Sequence, residues 1–157
     1  MTFERSDNLD IIKSVVTHKN VYPAVSDDFS PEPQDWEPID PRVAWYVVVK
    51  DGETLLGLWA LIPVSKILWQ IHTCLLPVAY GERARAAAKE LGPWIWDHMP
   101  CMRVITEVPA YNRLALRFAK EAGMTQFGLN PKSYQKFGQL HDVALLGVSR
   151  PEGNVCQ

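Results

Sequence analysis

A chain of 157 residues favours one domain, taken here as residues 1–157, long enough to bury roughly two thirds of the surface it exposes when unfolded. Hydrophobic residues at 47% and six tryptophans argue against disorder, and a net charge of −2 implies no general affinity for nucleic acid or acidic membranes. Residues 1–7 hold no apolar signal region, no run of about 18 apolar residues suggests a membrane span, and three cysteines (Cys74, Cys101, Cys156) without metal-ligand spacing suit a reduced, cytoplasmic compartment.

Residues 8–19 predict a first helix, because Ile11, Ile12, Val15 and Val16 share one face at helical spacing and Asp7 or Asn8 stands ready to cap it. Residues 23–41 differ in character. They hold five prolines and six acids (Asp27, Asp28, Glu32, Asp35, Glu37, Asp40) and no Lys or Arg, which predicts a loop with at most one short helical turn. A strand over residues 43–50 breaks at Asp51-Gly52, a hairpin signal, and Thr54–Pro63 returns. Residues 67–76 make a third pass, completing a meander. On that strand Leu68, Gln70, His72 and Cys74 share one face, and Trp69, Ile71 and Thr73 the other.

Residues 82–99 read as an alanine-rich helix with a kink or break at Gly92-Pro93, since proline cannot donate its backbone hydrogen bond. A strand at residues 103–108 precedes a helix that starts at the cap residue Asn112 and stops at Gly123, with Ala115, Phe118, Ala119 and Ala122 as its buried stripe. Gly128, Asn130-Pro131 and Gly138 punctuate the end, before a final strand at about residues 142–148. The sum is an α/β protein: a mixed, mostly antiparallel central sheet with helices on both faces.

The turn from Leu76 to Ala84 carries the chemistry. A helix start presents four unpaired backbone N–H groups and the positive end of its dipole, which together suit a phosphate. Gly81 permits a positive φ and a close approach, and Arg83 and Arg85 add charge-assisted contacts, while Glu82 opposes an anion. The plainer alternative is an ordinary strand-to-helix turn. Cys74 has no paired His/Asp motif and reads as a buried, inert thiol. The acids of residues 27–40 would draw a cation, with Phe29 and Trp36 nearby, or else form a solvated loop.

From Leu75 to Met124 the order is strand, glycine-bearing turn, alanine-rich helix, strand, then Asn112-Arg-Leu-Ala115-Leu-Arg-Phe118-Ala119-Lys-Glu-Ala122-Gly123-Met124. It resembles the core of the GCN5-related N-acetyltransferases (GNAT), with order and spacing that extend over residues 43–148. The family's turn pattern is Gln/Arg-x-x-Gly-x-Gly/Ala. Gly81 matches its central glycine, Val78 and Arg83 depart from it, and Ala84 comes one position late. The family's second pattern, Asn-x-x-Ala-x-x-x-Tyr/Phe-x-x-x-Gly-Phe, fits at Asn112, Ala115 and Gly123, with Ala119 in the tyrosine place and Met124 in the terminal aromatic place. Residues 77–81 are similar in shape to small members encoded by tailed phages.

The resemblance implies acetyl-CoA as co-substrate, held by Cys74, Leu75, Leu76, Tyr80, Gly81, Glu82, Arg83, Ala84 and Asn112. It implies direct transfer, in a ternary complex, to a small-molecule or protein amine; a homodimer is left open. His72, on the strand beside the acetyl group, and Glu107, near the end of the next strand, are the candidate bases. Tyr134 or Tyr111 would replace the acid missing at Ala119. The departures at Val78, Arg83 and Ala119 keep a second reading open, a catalytically inactive binding or assembly protein of the same fold.

Overall fold

The computed structural model describes residues 1–153, so Cys156 lies outside the described residues. The elements run β1 (Thr2–Ser6), α1 (Leu9–Val16), α2 (Tyr22–Val25), β2 (Trp45–Asp51), β3 (Thr54–Pro63), β4 (Leu68–Leu75), α3 (Glu82–His98), β5 (Arg103–Pro109), α4 (Arg113–Glu121), β6 (Thr125–Lys136) and β7 (Gln139–Ser149). They build a seven-stranded sheet in the order β1-β2-β3-β4-β5-β7-β6. Every pairing is antiparallel except β4 with β5. The expected mixed, mostly antiparallel sheet with helices on both faces is what the chain forms. No helix among the described residues is long and apolar enough to cross a membrane.

Strand alternation explains the two layers. In β2, Val47 and Val49 face one side and Tyr46 and Val48 the other, and all four are buried, which is why that strand reads as a continuous apolar run. Ile12, Val15 and Val16 of α1 pack on Tyr46, Val48, Leu58, Ala60 and Cys74. Ala84, Ala87, Ala88, Leu91 and Ile95 of α3 pack on the opposite face against Val47, Trp59, Ile71, Leu75 and Val104. Small alanines let α3 lie close to the sheet. Ala119 of α4 joins Val108, Ala144 and Leu146 beside it.

The caps follow side-chain chemistry. Asn8 is the residue that caps α1, its Oδ1 accepting from Asp10 N (3.1 Å) and Ile11 N (3.2 Å). Of the kink or break expected at Gly92-Pro93, the break does not occur, and the helix runs through for 17 residues. Pro93 is exposed, so the carbonyl it leaves without a helical donor faces water, while Leu91, Ile95 and Trp96 anchor both sides to the sheet. At the far end, the buried Arg150 guanidinium donates to Trp96 O (2.7 Å), Met99 O (2.7 Å) and Cys101 O (3.0 Å), tying the chain after β7 to the carbonyl end of α3.

Two strands have no counterpart in the sequence reading. β1 pairs with β2 at the sheet edge. β6, at the other edge, contains Gly128 and Pro131, residues that read as loop punctuation. Register shifts at Gln126/Gly128 and Asn130/Tyr134 accommodate them, and an edge strand needs no outward donor from a proline.

Candidate active site

β4 and β5 begin as a parallel pair and then part. Only Leu68↔Arg103, Trp69↔Val104 and Gln70↔Ile105 are in register. Beyond them β4 follows β3 and β5 follows β7 along their full lengths, so the sheet opens into a V. Thr106 Oγ1 donates to Ile71 O across the apex (3.1 Å). The opening is a cleft of about 890 Å³, lined among others by His72, Thr73, Leu75, Tyr80, Gly81, Ala84, Glu107, Asn112 and Tyr134.

The diverging strands leave backbone donors without a neighbour. Leu76 N–H donates to Leu56 O of β3 (2.8 Å), which fixes the alternation along β4. Leu76 and Cys74 turn their N–H groups to β3, and Leu75 and Thr73 turn theirs into the cleft. Of the three β4-end residues that the resemblance implies as cofactor contacts, Cys74, Leu75 and Leu76, strand parity turns only the Leu75 N–H into the cleft, and it adds Thr73, which was not among them. Cys74 and Leu76 contribute structure. The Cys74 thiol is buried against the α1 layer, and burial pushes its pKa up to about 12, so it stays a thiol.

The turn after β4 has the form that a bound anion needs. A 3-10 turn at Pro77–Ala79 delivers the chain to Gly81, the residue preceding α3, at φ 91 and ψ −129. That conformation is open to glycine and almost closed to other residues. Arg85 N is the first amide with an intrahelical acceptor, Gly81 O (3.2 Å). Among the described residues, the N–H groups of Gly81, Glu82, Arg83 and Ala84 have no acceptor. Arg83's guanidinium turns away from this nest to Asp51 Oδ2 (3.4 Å), so its contribution here is its N–H. Arg85, one turn on, lines the cleft instead. Tyr80 borders the cleft with its hydroxyl 3.5 Å from Asn20 O.

Across the cleft, Asn112 caps α4 with Oδ1 on Ala115 N (3.1 Å), which leaves its amide nitrogen as a donor at the cleft wall. Ala119, in the tyrosine place, is packed against the sheet and supplies no hydroxyl. His72 and Glu107 were the two alternative candidates for the base. Both side chains lie on the α1 side of the splayed strands and both line the cleft. Burial pushes the half-buried His72 imidazole below its ordinary value, so it is neutral at physiological pH.

Tyr134 also lines the cleft, and its hydroxyl donates to Ser26 O (2.8 Å). Burial, first, and the neighbouring Tyr111 and acidic residues raise its pKa to about 12. Its proton is therefore firmly held. Lys136 donates to the same carbonyl (2.7 Å) and to Pro23 O (2.8 Å). Asp28 accepts from Phe137 N and Gly138 N (each 2.8 Å), which holds its carboxyl below its ordinary value. Asp28 is thus a latch between the acidic loop and the β6–β7 hairpin, not a ligand-facing charge. Glu37 pairs with Lys13 and Asp40 with Arg42, while Asp35 is exposed and lines no part of the cleft. Of the six acids only Asp27 lines the cleft. Trp36 packs on the α1 layer and Phe29 is exposed, and neither reaches the cleft.

No protein-family profile matches the chain, and no curated protein sequence does. Solved structures match over nearly the whole length. Spermidine N-acetyltransferase from Vibrio cholerae, in complex with CoA and spermine, is 17% identical, with a TM-score of 0.76 over 94% of each chain. A chimera of the Vibrio cholerae enzyme with hSSAT is 16% identical (TM-score 0.75), covering 95% of this chain and 96% of its own. Ribosomal-protein-S5-alanine acetyltransferase from Vibrio fischeri is 15% identical (TM-score 0.74), covering 96% of this chain and 93% of its own. The chain shares the fold of GNAT acetyltransferases. These neighbours lend no support to the phage-like reading of residues 77–81.

Proposed function

We propose that this chain is an acetyl-CoA-dependent N-acetyltransferase that transfers acetyl directly to a cationic amine. The observation that carries the reading is the continuity of the splayed β4–β5 cleft with the unpartnered amides at Gly81 to Ala84. The nest takes the diphosphate, and the cleft takes the pantetheine arm beside β4, with Asn112 opposite. The N–H groups of Thr73 and Leu75 meet the thioester oxygen and stabilise the negative charge that develops there. A small-molecule amine fits the acid-lined approach on the α1 side, where Asp27 and Glu107 stand at the cleft.

An alkylammonium with pKa near 10 must lose a proton before it attacks. Neutral His72 takes that proton, and Glu107 holds the ammonium at the cleft. The nitrogen lone pair then adds to the thioester carbonyl carbon. The C–S bond breaks, and the thiolate departs. A thiol of pKa near 8.5 is a good leaving group at neutral pH, and through water in the open cleft the thiolate takes up the second proton, which the nitrogen sheds as the amide forms. Tyr134, with its proton committed to Ser26 O, anchors the acceptor wall. The same reading aligns the three places for cofactor, acceptor and base within one cavity.

Ala119 favours a second reading, a chain that binds the thioester carrier without turnover. One experiment separates the two. Acetyl-CoA at about 100 times its Kd is expected to add about 2.7 kcal/mol of stability, a rise in Tm of about 5–10 °C. Turnover against a panel of amines is then expected only on the first reading. An unchanged Tm would remove both.

A further inference from the structure

A second hollow of about 320 Å³ lies between α3 and α4, and its wall includes Arg85, Lys89, Arg117, Phe118 and Glu121. Arg85, Arg117, Phe118 and Glu121 also line the main cleft, so the hollow adjoins it. The hollow gathers three cations against one acid. Glu121 Oε1 is engaged by Arg117 Nε at 2.9 Å. Among the described residues, Arg85 and Lys89 have no carboxylate partner, although they stand i, i+4 on one face of α3. Like charges at that spacing repel, and Arg117 adds to the repulsion from the facing helix. A bound dianion would relieve it.

We propose that this hollow is a phosphomonoester site that reads the ribose 3′-phosphate of CoA. The proposal rests on the proposed function, because it needs the diphosphate at Gly81. From there Arg85 and Lys89 stand about 6 and 12 Å along the α3 axis. A ligand whose diphosphate occupies the amide nest therefore brings a second phosphate of the same molecule within reach of both side chains. A phosphomonoester carries a charge of about −1.5 to −2 at pH 7 and three acceptor oxygens, a match for two free cations and the outer face of a third. The diphosphate site alone has no means to distinguish CoA from a carrier that lacks the 3′-phosphate. This hollow supplies it.

Isothermal titration of the full chain with CoA and with dephospho-CoA, which differ only in that phosphate, tests the assignment. Charge-assisted contacts at an exposed site, discounted for screening, give CoA an advantage of about tenfold at low salt, shrinking as salt is raised. Arg85→Ala/Lys89→Ala is expected to reduce the advantage to about twofold or less, and Lys89→Ala alone, at a residue outside the main cleft, to reduce it while leaving the Kd of dephospho-CoA unchanged. Glu121→Gln is expected to widen the advantage, an outcome that damage to the fold would not produce. Equal affinities in the unaltered chain, or equal weakening of both ligands in the double variant, would overturn the 3′-phosphate assignment alone. Failure of both ligands to bind the unaltered chain would overturn the proposed function with it.

Discussion

His72→Gln is expected to lower kcat for acetyl transfer by about 100-fold and to leave the Kd for CoA within about twofold. General-base catalysis contributes about 100- to 10,000-fold, and the side chain faces the acceptor side of the cleft, where no polar contact to the carrier is called for. The pH profile supplies the sign. Burial lowers the His72 pKa from the ordinary 6.5, so the neutral base predominates at pH 7, and kcat/KM should fall as pH drops through that lowered value. Stability moves the same way. A histidine whose folded pKa is depressed contributes its full share above the unfolded value of 6.5, and that share is lost as pH falls through the folded pKa. Tm measured in parallel separates the two effects, because chemistry should fail while the protein is still folded. An acid limb that persists in His72→Gln would assign the base to Glu107.

Gly57→Ala is expected to destabilise the chain by about 3 kcal/mol, roughly a 10 °C drop in Tm by calorimetry. Gly57 sits in β3 at φ 139, a backbone conformation that L side chains rarely adopt. A Cβ there would lie 2.8 Å from Leu75 Cα and 3.2 Å from the Cys74 carbonyl carbon, so it meets backbone that no rotamer change can move aside. The segment it would displace is the end of β4 that aims Leu75 N–H into the cleft. CoA affinity should fall together with Tm. An unchanged Tm would show that the close approach of β3 and β4 is not required.

Much of this architecture was legible because it is local. The β3 bounds, the helix capped by Asn112 and the turn at Gly81 follow from periodicity, cap chemistry and glycine placement. Edge elements were not legible. Thr2–Ser6 is a short, charged strand that exists because β2 offers it a partner, and β6 hides behind Gly128 and Pro131, which its bulges absorb. The continuity of α3 through Pro93 is likewise a tertiary effect, the apolar stripe on both sides outweighing one lost hydrogen bond.

The site divides along the same line. Gly81, Asn112, His72 and Glu107 were legible as residue types on their elements, and all four line the cleft. What each backbone group does was not, because it depends on which neighbour a strand keeps. The parity that points Thr73 and Leu75 into the cleft is set by pairing with β3, some 14 or more residues away in sequence. Arg83 finds Asp51, and Tyr134 finds Ser26, 108 residues earlier; such pairs leave no local signature. The acidic loop had the right charge for a cation, but only Asp27 reaches the cleft, since Asp28 is spent on the hairpin.

Backbone amide shifts during CoA titration of the nitrogen-15-labelled chain test the central claim most directly. The account predicts that Gly81, Glu82, Arg83 and Ala84 shift most, with Thr73 and Leu75 following, and with saturation at a single Kd. Movement confined to other residues, or none at millimolar CoA, would contradict it.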